Sequence, residues 1–183
     1  MDSKEKARQV LENIAEEFTC SGEIKAPFMG RTIEEIEKSK KFATNYICSE
    51  EAVLVAHRLK QAGFNPEIVY HRRRYITNHF FVLVPIEGTF YEIHLAKGTE
   101  FLLARKFKTT LKTSFVRIPF NLKPNQSLSD AMTGKMKILL LGKYIYPLHP
   151  RKWALGINKR RDVAKATRLN ENLKKGLGRK PKV

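Results

Sequence analysis

The chain is poor in cysteine and lacks long apolar runs, and both scarcities narrow the classes of protein to which it can belong. Its two cysteines, Cys20 and Cys48, allow at most one disulfide, and nothing in the sequence requires an oxidising compartment. Apolar runs such as the one at 138–142 are far shorter than the roughly 18 residues that a membrane helix needs. Residues 1–18 are charged and amphipathic, unlike a secretory signal. We therefore expect an intracellular protein without a membrane partner, either cytoplasmic or, if it is viral, virion-associated.

Acidic residues are scarce in the second half of the chain. Residues 1–96 hold 13 Lys and Arg against 14 Asp and Glu, a net charge of −1. Residues 97–150 hold 10 against 2, and residues 151–183 hold 12 against 2, so these segments carry +8 and +10. This asymmetry is typical of proteins that contact a polyanion, namely nucleic acid, an anionic membrane surface or an acidic partner.

The order of hydrophobic patterns predicts an α+β fold, with N-terminal helices packed on an antiparallel sheet. Helical signals come first: a cap at Asp2 or Ser3, a capping box at Thr32–Glu35, and a helix over about 45–61 that ends at Gly63. Strand-like and later helical patterns follow, with strands predicted at 67–72, 75–85, 89–95, 101–107 and 113–120, and a helix at 128–144. We expect one domain over residues 1–150, followed by a basic C-terminal tail over 151–183 that is disordered alone.

Two histidines occur near the ends of a predicted hairpin. If Glu87 and Gly88 form a two-residue turn, Ile86 pairs with Thr89. His79 and His94 then lie on the same face as diagonal neighbours, roughly 7–8 Å apart at the backbone. A three-residue turn would place them on opposite faces, so the prediction depends on the register.

Cys48 precedes the hairpin, in the first turn of the third predicted helix. A helix N-terminus lowers a thiol pKa, because its free N–H groups and its dipole favour the thiolate. A thiolate beside a histidine that a further polar group orients is the minimum for nucleophilic catalysis. The candidate catalytic residues are therefore Cys48 as nucleophile, His79 as base and His94 as the orienting group.

The order of these elements resembles the transglutaminase-like superfamily, which includes cysteine peptidases and acyltransferases. The resemblance covers about residues 42–95, and the matching residues are Cys48, Ala52, Gly63, His79, Phe80, Phe81, Val82, Tyr91 and His94. It implies a papain-like α+β core and an activity that hydrolyses or transfers an amide bond, with a protein or peptide substrate. The family usually has aspartate where this chain has His94, and related papain-like amidases use a second histidine there.

Other interpretations of the same residues remain open. Cys48 is also consistent with a small buried apolar residue, and the chain with an inactive member of the superfamily. A zinc site at Cys48, His79 and His94 matches no known ligand spacing, so we expect no metal and no cofactor. Cys20 is interpreted as structural.

The basic half predicts contact with DNA or RNA through phosphates, without sequence specificity. Residues 158–175 also fit a basic helix with a modest apolar stripe at Val163, Ala166 and Leu169. The candidate nucleic-acid-binding residues are Arg72, Arg73, Arg74, Lys106, Lys108, Lys112, Arg117, Arg151, Lys152, Lys159, Arg160, Arg161, Lys165, Arg168, Lys174 and Lys175.

The sequence thus favours a cysteine hydrolase or acyltransferase with a nucleic-acid-binding tail. The alternative is a non-enzymatic nucleic-acid-binding protein on a degenerate version of the same fold. A third class is a structural component that packs nucleic acid.

Overall fold

The structure, a computed structural model, describes residues 2–27, 30–73, 77–93, 95, 113–131 and 155–177. Within these ranges the chain forms five helices, α1 (Ser3–Glu17), α2 (Ile33–Ser39), α3 (Ile47–Gln61), α4 (Leu128–Ala131) and α5 (Leu155–Leu177). The strands are β1 (Thr19–Ser21), β2 (Lys41–Ala43), β3 (Glu67–Arg73), β4 (Thr77–Ile86), β5 (Thr89–Ile93) and β6 (Thr113–Pro119). The mixed α+β class predicted from the sequence is confirmed. The strand predicted at 101–107 and most of the helix predicted at 128–144 lie outside the described residues.

Side chains cap the starts of the first two helices, and a glycine follows the end of the third. The Asp2 carboxylate accepts a hydrogen bond from the Lys4 amide at the start of α1. Thr32 and Glu35 form the predicted capping box, in which each side chain accepts from the other residue's amide, at 3.3 and 2.8 Å. Gly63 follows α3 with a φ of +89°, which allows the chain to turn away from the helix axis.

The main sheet is antiparallel, with strand order β5-β4-β3-β6. Ile86 pairs with Thr89 across the turn, so the predicted two-residue hairpin and its register are confirmed. Glu87 and Gly88 both have positive φ, at 50° and 77°, and this favours the turn type that matches the right-handed twist of the strands.

The two faces of this sheet belong to different apolar clusters. Phe80 and Val82 of β4 point to the core that α1 and α3 share, whereas Phe81 and Leu83 pack with Val69 on the opposite face. This alternation follows from the two-residue period of a strand. Because both faces are apolar, the sequence pattern alone did not identify the face that contacts the helices.

A second, two-stranded sheet was not predicted. β1 and β2 pair in parallel, and Cys20 lies opposite Phe42. The rings of Phe18 and Phe42 stack beside the pair with their centroids 5.4 Å apart. Three-residue strands are too short to show an alternating pattern, which explains why the sequence analysis missed them.

Residues 155–177 were predicted to belong to a disordered tail, but they form the helix α5, which packs on the rest of the fold. α5 packs against α1 and β1, with Ala166, Leu169 and Leu173 buried in the same core as the N-terminal helices. The side chain of Asn170 accepts from the Cys20 amide at 2.6 Å and donates to the Cys20 carbonyl at 3.1 Å. Three apolar residues at helical spacing and one amide are enough to attach this highly charged helix.

The apolar stripe of α5 also differs from the predicted one. Ala166 and Leu169 are buried as expected, whereas Val163 is 46% exposed and Leu173 takes the third buried position. Among the described residues, no helix combines the length and apolar character needed to cross a membrane.

A buried ion pair joins α3 to the loop before α2. The side chain of Glu50 is fully buried and accepts from Arg31 Nε at 2.9 Å and Nη2 at 3.0 Å. The same carboxylate accepts from the backbone amides of Arg31 at 3.1 Å and Ala43 at 2.7 Å. Gly30 has a φ of +97°, and a Cβ there would lie only 2.8 Å from Glu50 Cγ. A glycine is therefore required for the loop to approach this carboxylate.

Truncating the buried side of α5 should destabilise the whole protein. We expect Leu169→Ala and Leu173→Ala each to lower the free energy of unfolding by about 2–5 kcal/mol, because each leaves a cavity in the shared core. Val163→Ala on the exposed side should change it by less than about 0.5 kcal/mol. Urea unfolding followed by far-UV circular dichroism measures all three. Equal, negligible effects would mean that α5 does not contribute to the folded core.

Removing the cation of the buried ion pair should lower the free energy of unfolding more than removing a surface cation. Arg31→Met leaves the Glu50 carboxylate buried without its partner, and we expect a loss of about 3–5 kcal/mol. The control is Arg8→Met, which removes the partly exposed Arg8–Glu12 pair on α1 and should cost no more than about 1 kcal/mol. Similar losses in the two variants, measured by the same unfolding experiment, would contradict a stabilising role for the buried pair.

Candidate functional site

Cys48 lies in the first turn of α3, as predicted, but its environment does not favour a thiolate. Burial raises the pKa of the Cys48 thiol, and a hydrogen bond with the Phe80 backbone offsets this only in part. Glu51 raises the pKa further, while Lys165 lowers it. The direction is opposite to the one predicted from the helix N-terminus, because desolvation outweighs the helix dipole at this position.

His79 lies in β4 next to Phe80, whose backbone contacts the thiol. Its imidazole stacks on Phe81 with ring centroids 6.1 Å apart, which places it on the same face of the sheet as Phe81. Phe80 faces the opposite way, into the core that includes α3 and Cys48. The sheet therefore brings the backbone beside His79 to the thiol but directs the imidazole towards the other face.

The third predicted member, His94, lies outside the described residues, so its role as the orienting group stays a prediction. Among the described residues, no group of three or more His, Cys, Asp or Glu side chains is placed to hold a metal ion.

Cys20 is buried between β2 and α5, as expected for a structural cysteine. Burial raises the pKa of its thiol to about 12, and the negative charge of Glu51 adds to this. Both of its backbone hydrogen-bonding groups are bound by Asn170. Both cysteines are free thiols.

Lys165 was predicted to bind nucleic acid, but its charge is used within the fold. Its Nζ atom donates to the carbonyl of Thr44 at 2.6 Å, in the loop that leads from β2 into α3. The same ammonium group lowers the pKa values of Cys48 and Cys20. The sequence contains no signal for this contact, because it joins residues 121 positions apart.

Arg117 also has partners within the protein. Its guanidinium forms an ion pair with Glu67, through Nε and through Nη2 at 2.9 Å, and lies 4.8 Å from the centroid of the Phe90 ring. Half of its side chain nevertheless remains exposed.

The other predicted basic residues fall into three groups. Arg72 and Arg73 lie at the end of β3, while Lys159, Arg160, Arg161, Arg168, Lys174 and Lys175 lie in α5. Arg74, Lys106, Lys108, Lys112, Arg151 and Lys152 lie outside the described residues. In α5, the side chains of Arg168 and Lys174 are exposed. Most of the predicted nucleic-acid-binding residues that the structure describes therefore lie in one folded helix.

The reactivity of the two cysteines tests the electrostatics around Cys48. We expect iodoacetamide to modify Cys48 more slowly than an ordinary thiol at neutral pH, at a rate still rising above about pH 8.5, because its pKa is raised. Cys20 should react only after unfolding. Mass spectrometry of the wild type and the Cys48→Ser variant assigns each product. A Cys48 rate that is already constant below pH 8 would instead indicate the thiolate that catalysis requires.

Comparison with known proteins adds no relative from which a function can be transferred. The chain has no significant match among protein-family models, curated proteins or solved structures. The resemblance of residues 42–95 to the transglutaminase-like superfamily therefore stays a prediction.

Proposed function

We propose that this protein binds nucleic acid without sequence specificity, and that the outward side of α5 is the main phosphate-binding surface. The observation that carries the proposal is the division of α5 into two sides. One side is anchored in the core through Ala166, Leu169 and Leu173, and the other presents cations.

The anchoring supports the proposal because it fixes the orientation of the helix. Asn170 binds both backbone groups of Cys20, and Lys165 binds the Thr44 carbonyl, so contacts on both flanks of the buried stripe fix the rotation of α5. A cationic helix held in place loses less conformational entropy on binding than a disordered tail of equal charge.

Cationic positions recur along α5 at a regular interval. Arg161, Arg168 and Lys175 are each seven residues apart, a spacing that returns to nearly the same side of an α-helix after two turns. These three positions span roughly 21 Å along the helix axis. Arg168 is exposed, on the side opposite Ala166 and Leu173. Lys and Arg so arranged release counterions from a phosphate backbone.

The charge distribution of the whole chain agrees with this surface. Residues 97–183 carry +18 and residues 1–96 carry −1, so the second half accounts for the whole net charge of +17. This excess favours rapid, salt-dependent association with a polyanion. Phosphate contacts carry no sequence information, which is why we propose binding without specificity.

A cysteine hydrolase or acyltransferase is the second candidate function. Its support is the position of Cys48 in the first turn of α3, against the backbone of Phe80, the residue that follows His79 in the chain. The raised thiol pKa and the orientation of His79 give catalysis less support than α5 gives to binding.

Neutralising the outward side of α5 should weaken binding more than an equal loss of charge elsewhere. We expect the triple variant Arg161→Gln, Arg168→Gln, Lys175→Gln to bind a labelled duplex of about 20 base pairs roughly a hundredfold more weakly at low salt. Its slope of log K against log salt should be less steep by about 2.7, the contribution of three phosphate contacts. Fluorescence anisotropy between about 50 and 200 mM salt measures both quantities.

The matched control is Lys6→Gln, Lys38→Gln, Lys123→Gln, which removes three exposed cations outside α5. It should retain most of the affinity and the original salt slope. Equal losses in the two triple variants would mean that net charge, rather than α5, determines binding. Salt-independent binding by the wild type would contradict a phosphate-binding surface altogether.

A further inference from the structure

Phe90 and Arg117 lie on the face of the main sheet that is turned away from α1 and α3. Phe90 pairs with Pro85, and Arg117 pairs with Val69, which belongs to the cluster of Phe81 and Leu83 on that face. Phe90 is 44% exposed, and among the described residues Val163 is the only other exposed large apolar side chain.

The guanidinium group of Arg117 is held between two partners. Glu67 binds its edge through Nε and Nη2, and its Cζ atom lies over the Phe90 ring, 4.8 Å from the ring centroid. The Arg117 side chain is still 49% exposed. An exposed phenyl ring and an oriented planar cation therefore form one contiguous surface, which we call the Phe90–Arg117 platform.

The chemistry of the platform suits a flat aromatic group better than a phosphate. Glu67 already offsets the charge of Arg117, so little net attraction remains for an anion. Because Arg117 covers one face of the ring, the remaining interactions are stacking on the exposed side of the phenyl ring or of the guanidinium plane, either of which accepts any nucleobase. Because Glu67 and Phe90 restrain the arginine in advance, little side-chain entropy is lost when a base stacks on it.

We infer that the Phe90–Arg117 platform stacks an unpaired base, so that the protein binds single-stranded nucleic acid in addition to contacting phosphates through α5. The inference rests on the proposed function, because the cations of the chain must first bring a strand to the surface. A duplex cannot use the platform in the same way, since its bases are already stacked and paired. The charge of the second half of the chain favours a nucleic acid strand over an apolar partner as the occupant.

The experiment compares two labelled ligands, oligo(dT) of about 12 nucleotides and a duplex of the same length. Phe90→Ala should weaken binding of oligo(dT) about tenfold, the effect of losing one base–aromatic contact, without changing its salt slope. Its affinity for the duplex should stay at the wild-type value. Phe90→Tyr, which keeps an aromatic ring, should restore binding of oligo(dT).

Two further variants separate stacking from charge and from general apolar exposure. Arg117→Lys keeps the positive charge but removes the planar group, and should also weaken binding of oligo(dT) alone. Val163→Ala removes the other exposed apolar side chain and should change neither affinity. In Phe90→Trp, oligo(dT) should quench tryptophan emission beyond the quenching measured for Trp153 in the wild type.

The inference and the proposed function fail in different ways. If Phe90→Ala binds oligo(dT) with wild-type affinity, or loses equal affinity for oligo(dT) and duplex, the platform does not stack a base. Either result would leave the proposed phosphate-binding surface of α5 unaffected. If Phe90→Ala lowers the molecular mass by light scattering without affecting oligo(dT), the face is an interface between two copies of the chain instead. If the wild type binds neither ligand at low salt, the proposed function is wrong and the inference falls with it.

Discussion

The packing of the N-terminal half depends on the buried pair of Arg31 and Glu50. The Glu50 carboxylate lies in the first turn of α3 and accepts from the amide of Ala43, so it fixes the end of β2 against the start of the helix. Arg31 also donates to the Ser39 hydroxyl at 3.0 Å and to the Lys41 carbonyl at 2.5 Å, which joins the end of α2 to β2. One ion pair thus determines where α3 begins, and with it the position of Cys48. Its hydrogen bonds satisfy both charges, the condition under which a buried ion pair is tolerated.

Local signals in the sequence predicted the elements whose geometry is decided by neighbouring residues. The capping box at Thr32 and Glu35, the turn at Glu87 and Gly88 and the end of α3 at Gly63 all depend on contacts within a few positions. Features that depend on distant contacts were not predicted. The attachment of α5 depends on hydrogen bonds between Asn170 and Cys20, which are 150 positions apart in the chain. No periodic pattern in the sequence predicts such a contact.

The candidate catalytic set shows the same division. The sequence correctly located Cys48 in the first turn of a helix and His79 in a strand, since both follow from local patterns. The pKa of the thiol depends on its burial in the folded protein, where the backbone of β4 contacts it, and the direction of the imidazole depends on which apolar face of β4 meets α3. Both faces of β4 carry large apolar residues, so the alternation did not distinguish them. The basic residues were easy to find, but their uses differ, because Lys165 binds Thr44 and Arg168 faces solvent.

The side chain of Asn170 has a consequence for the solubility of the protein. Its amide offers one acceptor and one donor to Cys20, the same pair of groups that a neighbouring strand would offer. The outer edge of β1 is thereby closed at its centre by a helix, without a third strand. An uncovered strand edge is a template for pairing with another chain. Helix α5 therefore covers a strand edge that would otherwise be available for pairing with another chain.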